Sequence, residues 1–157
     1  MGLMDVANAS YTEAIRLNPK NPMVLNNLAW YLATWPDTKF RNPNRAVELA
    51  RKVVEIAPND GIVLNTLGTA LYRTGDWKGS VTALEKSLDL MSSHKSFNWF
   101  FLAMANWQLG HKDEARKWYD KAVLWMDKNM PKDEELRRFR AEAAELMNIK
   151  EEITKSK

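Results

Sequence analysis

Apolar residues recur every three to four positions along most of the chain, which is the spacing that gathers them on one face of a helix. Short stretches rich in proline, glycine, asparagine or aspartate interrupt the pattern, and these residues are typical of turns and helix ends. The pattern predicts an all-α fold with helices at 5–17, 22–34, 43–57, 61–74, 77–91, 96–109, 112–128 and 132–147.

Several predicted helix ends carry residues that cap helices. Asn21 and Asn42 each precede a proline, and Asp76 precedes the apolar start of another helix, so all three are predicted N-caps. Gly75 and Gly110 follow the ends of two helices, where glycine enters the left-handed conformation at little cost. These positions support the predicted helix boundaries independently of the apolar pattern.

The helices also repeat in pairs. The segment 64–68 aligns with 99–103 when the chain is shifted by 35 residues, and Gly75 aligns with Gly110 at the same shift. Gly68 and Ala103 then coincide, as small residues should where two helices cross closely. The chain therefore contains repeated helical hairpins.

The spacing of these small residues, turn glycines and terminal prolines resembles the tetratricopeptide repeat (TPR), a helix–turn–helix unit of about 34 residues. The second unit reads Leu64, Leu67, Gly68, Leu71, Gly75, Ser80, Leu84 and Ser87. The third reads Trp99, Leu102, Ala103, Gly110, Ala115, Tyr119 and Ala122. The resemblance implies a TPR-type α–α superhelix, that is, a right-handed solenoid of stacked repeats.

On this interpretation, residues 1–150 form a single solenoid domain and 151–157 form a tail. The domain comprises a half-repeat at 1–19, repeats at 20–58, 59–92 and 93–128, and a capping helix at 131–148. The first repeat has an insertion between its helices, around residues 34–42. Its Trp35 and Phe40 either contact a partner or fold back over the helix ends.

Composition narrows the choice of function. The chain has 157 residues, a formal net charge of +3 and no cysteine, which excludes disulfides, thiolate catalysis and cysteine-based zinc sites. Basic and acidic residues are interspersed, unlike the one-sided basic patch of a nucleic-acid-binding protein. No apolar stretch is long enough to span a membrane and the N-terminus lacks a signal-peptide pattern, so we expect a soluble, cytoplasmic protein.

The residues that could carry catalysis do not form a recognisable site. His94 and His111 both lie at predicted turns, and His111 is expected to help start a helix. No phosphate-binding loop, nucleophile motif or metal-ligand spacing is present. We therefore expect no enzymatic activity, no cofactor and no bound metal.

The resemblance implies a binding surface, because the first helix of each TPR unit lines a concave groove. The predicted peptide-binding residues, carried over from the family's groove positions, are Met23, Asn26, Trp30, Asn65, Thr69, Tyr72, Arg73, Phe97, Phe100, Met104, Trp107 and Gln108. The set is rich in aromatic and methionine side chains, which favours a binding hot spot. The alternative is that a terminal helix fills the groove and these residues are core.

The same resemblance excludes one class of partner. TPR domains that bind chaperone C-terminal tails hold the terminal carboxylate with lysine, arginine and asparagine side chains, whereas the matching positions here include Asn26, Phe97 and Phe101. We therefore expect a protein or peptide partner that is not a chaperone tail, and neither nucleic acid nor membrane.

A second function is a structural one. The half-repeat lacks its first helix, so Ala7, Ala14 and Ile15 are expected to face water and to promote self-association as a homodimer. The amino-acid sequences of the repeats are similar to TPR segments of large bacterial regulatory proteins. This hypothesis therefore places a self-association module within a larger regulatory protein.

Overall fold

The computed structural model describes residues 9–10, 13, 16–18, 20–92 and 95–150. These residues include the following seven α-helices and no strand: α1 (Pro22–Thr34), α2 (Pro43–Ile56), α3 (Gly61–Thr74), α4 (Trp77–Leu90), α5 (Ser96–Gln108), α6 (Lys112–Asn129) and α7 (Glu134–Leu146). Each lies within two residues of its predicted bounds at either end. The helix predicted at 5–17 lies mostly outside the described residues. Across the described part of the chain, no helix is long and apolar enough to cross a bilayer.

The predicted helix caps are confirmed. The side-chain oxygen of Asn21 accepts hydrogen bonds from the first turn of α1, and Asn42 and Asp76 do the same for α2 and α4. Gly75 and Gly110 both have φ of 85°, the left-handed conformation that side chains other than glycine rarely adopt. Each of these ends therefore satisfies backbone groups that the helix leaves unpaired.

His111 differs in detail from its predicted role. It occupies the N-cap position of α6, but its side chain makes no capping hydrogen bond. Its Nδ1 instead lies 3.2 Å from Oδ1 of Asn106, in the preceding helix. Asp113 and Glu114 stand in the first turn of α6, where carboxylates favour the positive end of the helix dipole.

The chain divides into two compact units, Met1–Met91 and Ser92–Lys157. The first contains α1 to α4 and the second contains α5 to α7. The prediction of a single domain over 1–150, with the repeat boundaries given above, stays a prediction.

The core of the first unit lies between its successive helices. Leu25 and Ala29 of α1 pack with Leu49 and Val53 of α2 and with Val63 of α3. At the α3–α4 crossing, a Cβ on Gly68 would lie 2.5 Å from Cγ of Leu84. The small residue of the repeat is therefore required here by the close approach of α4.

The core of the second unit is more aromatic. Phe139 of α7 packs edge-on against Phe101 of α5, with ring centroids 4.9 Å apart. Most large apolar side chains of the predicted capping helix at 131–148 are buried, including Leu136, Phe139 and Met147. α7 thus covers α5 as a capping helix should.

The insertion in the first repeat is ordered by local hydrogen bonds. Asp37 caps a short 3₁₀ turn at Thr38–Phe40, and Nε of Arg41 donates to the carbonyl oxygen of Trp35 at 2.6 Å. The Trp35 ring packs on Tyr31 with centroids 5.4 Å apart, so this side chain folds back over the end of α1. Phe40 stays exposed.

Candidate functional site

The predicted lining positions of α1 form one stripe on that helix. Met23, Asn26 and Trp30 are spaced by three and four residues, which places them on the same face. Met23 is 71% exposed, Asn26 is only 8% exposed and Trp30 is half-buried. Exposure along the stripe is therefore high at the apolar Met23, low at the Asn26 amide and intermediate at the Trp30 indole.

A matching stripe runs along α3. Ile62, three residues before the predicted lining residue Asn65, is 60% exposed, Asn65 is 7% exposed and Tyr72 is half-buried. Thr69 lies between the last two and is fully buried. The two stripes thus share an order: an exposed aliphatic residue, a buried asparagine and a half-buried aromatic ring.

A hydrogen bond holds α1 and α3 together near their C-terminal ends. Nε of Arg73 donates to the carbonyl oxygen of Ala33 at 3.1 Å. The same guanidinium stands 5.5 Å from the ring centroid of Tyr72, within the range of a cation–π contact. Arg73 therefore ties the two helices together and fixes the aromatic end of the α3 stripe.

Two polar atoms in these stripes lack a hydrogen-bond partner. Oδ1 of Asn26 and Oγ1 of Thr69 are both buried and unpaired. A buried polar group without a partner costs roughly 1–3 kcal/mol of folding free energy, so most such groups are paired in folded proteins. Both oxygens are inaccessible to solvent, so a donor from a ligand could reach that of Asn26 only after the amide turned towards the open side chains beside it.

The second unit treats its lining positions differently. Phe100 and Met104, predicted to face a ligand, are fully buried, and Phe100 packs edge-on against Tyr119 of α6 at 6.2 Å between centroids. These two residues, like Thr69, are core residues in the structure, because a side chain without accessible surface cannot contact a partner. Phe97 is half-buried and meets Phe139 of the capping helix at 6.3 Å. Phe97 is thus partly covered by the C-terminal helix, as in the alternative that a terminal helix occupies the groove.

Trp107 and Gln108 close the second unit's set. Nζ of Lys112 lies 3.6 Å from the ring centroid of Trp107 and donates to its carbonyl oxygen at 2.8 Å. The lysine thus covers one face of the half-buried indole. Gln108 is exposed at the end of α5. Sequence reasoning missed Lys112, although a lysine two residues past a helix-ending glycine can reach back to the last turn.

The predicted self-association residues, Ala7, Ala14 and Ile15, lie outside the described residues. Leu17, at the end of the same predicted helix, is described and is 69% exposed. Among the residues that the structure describes, no three histidine or carboxylate side chains are grouped closely enough to hold a metal ion.

Comparison with protein families and solved structures places this arrangement among known folds. Two family models, both described as "Tetratricopeptide repeat", match residues 10–48 and 65–134, and together cover more than half of the chain. A comparison with curated proteins found no significant match.

Two crystal structures of the protein MamA resemble this structure. One is 17% identical in sequence, with a TM-score of 0.60 over 94% of this chain and 96% of the other. The second is 19% identical, with a TM-score of 0.62 over 92% of this chain and 79% of the other. At such low identity the likeness concerns the fold alone.

Proposed function

The chain belongs to the tetratricopeptide-repeat family, and on that premise we propose that it is a non-catalytic module whose first unit binds a peptide or helix of another protein. The predicted all-α fold of the TPR type is confirmed. It is the fold of a protein-interaction scaffold. The proposal narrows the predicted groove to the stripes of α1 and α3.

The observation that carries the proposal is the exposure of two apolar side chains at the same position of successive repeats, Met23 at 71% and Ile62 at 60%. These side chains offer contact area, and the unpaired amide oxygen of Asn26 would offer an acceptor for a backbone or side-chain N–H once the amide turns towards them. A protein segment supplies both at once, since its backbone carries a donor at nearly every residue. An occupied site would satisfy the orphan acceptor and cover the exposed aliphatic groups together.

A helical occupant is favoured because, at the same repeat position in the second unit, a helix of the chain itself covers the lining residue. Phe97 stands where Met23 and Ile62 stand in the first two repeats, and it contacts Phe139 of α7. α7 is an amphipathic helix with one apolar stripe. A partner helix with a central aromatic residue would cover Ile62 in the way that α7 covers Phe97.

The test uses peptides selected from a displayed random library on the intact protein. Peptides that bind the proposed site should bind Asn26→Leu and Trp30→Ala at least about tenfold more weakly, the loss expected of one hot-spot contact. Trp107→Ala is the matched control, because that indole is already covered by Lys112, and it should bind normally. Circular dichroism of each variant confirms that the fold is retained. Peptides that ignore both first-unit variants but lose affinity for the control would reject the proposal.

A second candidate is self-association through the N-terminal segment, favoured by the exposure of Leu17. Light scattering on the intact chain and on the double variant Ala14→Glu, Ile15→Lys separates the two states. A dimer that dissociates in the variant supports this function. A monomer in both cases rejects it and leaves the peptide-binding proposal untouched.

A further inference from the structure

The outer face of α6 carries a row of side chains that the rest of the protein does not use. Lys117, Lys121, Leu124 and Lys128 follow one another at intervals of four, three and four residues, which keeps them on one face of the helix. This face is opposite the one that packs into the second unit. Leu124, in the middle of the row, is 75% exposed.

The internal repeats show that the fold does not require this row. Buried residues of α2, α4 and α6 align in three columns: Ala46, Ser80 and Ala115; Ala50, Leu84 and Tyr119; Val53, Ser87 and Ala122. In this register, the outer row reads Glu48, Lys52, Glu55 in α2 and Thr82, Lys86, Asp89 in α4. Only in α6 does it read Lys117, Lys121, Leu124, and the longer α6 adds Lys128.

The electrostatics of the rows differ as well. In α2, the Glu48 carboxylate is paired with Arg45 at 2.6 Å and with Lys52 at 3.1 Å, so the row neutralises itself. In α6, Nζ of Lys117 lies 3.5 Å from Oε2 of Glu114, which is a longer contact than those of Glu48, and both side chains are well exposed. No carboxylate in the described part of the chain forms an ion pair with Lys121 or Lys128.

The half-buried indoles of Trp118 and Trp125 border the row on one side. Nζ of Lys121 stands 5.0 Å from the ring centroid of Trp118 and 4.7 Å from that of the buried Trp99, which holds the ammonium over an aromatic platform. Trp125, next to Leu124 in sequence, packs edge-on against Trp99. Apolar surface therefore adjoins the positive row.

The other side of the row carries carboxylates, two of which are neutralised by arginines. Asp113, Asp120 and Asp127 lie beside the lysines on the same helix, and Asp120 is paired with Arg116 at 2.9 Å and Asp127 with Arg140 at 2.7 Å. A flat anionic surface such as a membrane would meet these carboxylates together with the lysines, whereas a narrow segment laid along the row would avoid them.

We propose that this row is a second docking surface, which takes an acidic helical segment of a partner protein. Its carboxylates would pair with Lys117, Lys121 and Lys128, and one apolar side chain would cover Leu124 and the edge of Trp125. The surface is separate from the stripes of α1 and α3, so either proposal can fail without the other.

The experiment uses a synthetic helical peptide with glutamates and one leucine at the matching four–three–four spacing. The control peptide has the same amino-acid composition, but the spacing of its glutamates and leucine is scrambled. Binding to the intact, ¹⁵N-labelled chain is followed by NMR, where the indole N–H signal of Trp125 and the backbone amide signals of α6 report contact at the row. We expect the spaced peptide to shift these signals and to bind at least about fivefold more tightly than the scrambled one.

Variants then assign the binding to the row. Leu124→Glu restores the acidic residue that the sister repeats carry, and it should weaken binding by about tenfold or more, because an apolar contact is lost and a like charge is added. Lys132→Glu makes a charge change at an exposed site outside α6 and should leave the affinity within about twofold, since exposed charges act weakly at a distance.

Three outcomes would overturn the proposal. The first is equal binding of the spaced and scrambled peptides, which would reduce the interaction to net charge. The second is retained affinity in Leu124→Glu. The third is that vesicles of anionic phospholipid, or single-stranded DNA, bind more tightly than the peptide and lose affinity in the same variant, which would assign the row to another class of partner.

Discussion

The first and second units use equivalent positions of the repeat in opposite ways. In the first unit, Met23 and Ile62 stand open to solvent, and the buried Oδ1 of Asn26, three residues after Met23, lacks a hydrogen-bond partner. In the second unit, Phe100 and Met104 take later positions of the same stripe and are fully buried. Phe97, the direct equivalent of Met23, is partly covered by α7.

A position in the repeat therefore does not by itself make a residue a ligand contact. A lining position is open only where no other helix of the chain occupies it. The residue types of the two units differ accordingly: Phe97, Phe100 and Met104 form the covered stripe, whereas amides and a threonine alternate with Met23 and Ile62 in the open ones. Apolar groups gain free energy from burial, and buried amides need a partner.

The strongest contrast between the two units should appear in the free energy of unfolding after substitution of a lining residue. Phe100→Ala should destabilise the protein by about 3–5 kcal/mol, because it empties space in the aromatic core. Ile62→Ala should change stability by less than about 1 kcal/mol, since that side chain is mostly exposed already. Urea denaturation followed by tryptophan fluorescence measures both. Similar losses in the two variants would contradict the comparison.

The helix crossings offer a second contrast. Gly68→Ala should cost about 1–3 kcal/mol, because the new methyl group would collide with Leu84. At the matching position of the second unit, Ala103 already carries a methyl group in a fully buried site. Ala103→Gly should cost only about 1 kcal/mol, mostly through helix propensity. Thermal unfolding of both variants tests this, and a neutral Gly68→Ala would show that Leu84 can yield.

A third prediction sets stability against binding. Asn26→Leu removes the unpaired buried oxygen, so it should leave stability unchanged or raise it by about 1 kcal/mol, although it is expected to weaken peptide binding. Calorimetry on the free protein gives the first quantity. A marked loss of stability would mean that the amide is a structural group of the core.

The helices and their caps could be predicted from the sequence because their signals are local. Asn21, Asn42 and Asp76 act on backbone groups two or three residues away, and Gly75 requires only its own φ. The state of the lining residues is not local. Whether Phe100 is open depends on what packs over it, and the repeat pattern carries no information on that point.

Other features depend on a single contact that the family pattern does not contain. Lys112 covers Trp107, and Arg73 bonds to the backbone of α1. The row on α6, by contrast, could have been found from the sequence alone by a comparison of the three second helices at equal positions. Leu124 then stands out, because the other repeats hold an acidic residue there.

The smallest effect is expected on the pKa of Glu48, in the row Glu48, Lys52 and Glu55 of α2. Hydrogen bonds from Arg45, and then from Lys52, hold the pKa of the Glu48 carboxyl below its ordinary value. This contact is therefore present above the pKa that the unfolded chain would show and is lost as the pH falls through the lower, folded value. In Arg45→Ala the pKa of Glu48 should rise towards normal. Carboxyl-carbon NMR titration measures the shift, and an unchanged pKa would show that the pairing is absent in solution.

The most direct test of the account measures which lining positions a ligand covers. The chain contains no cysteine, so single variants Ile62→Cys and Met104→Cys each report one site without background. We predict that a thiol reagent labels Ile62→Cys rapidly, that a bound selected peptide slows this reaction, and that Met104→Cys reacts slowly in either case. Rapid labelling of Met104→Cys, or labelling of Ile62→Cys that the peptide does not slow, would contradict the claim that the first unit holds the open binding surface.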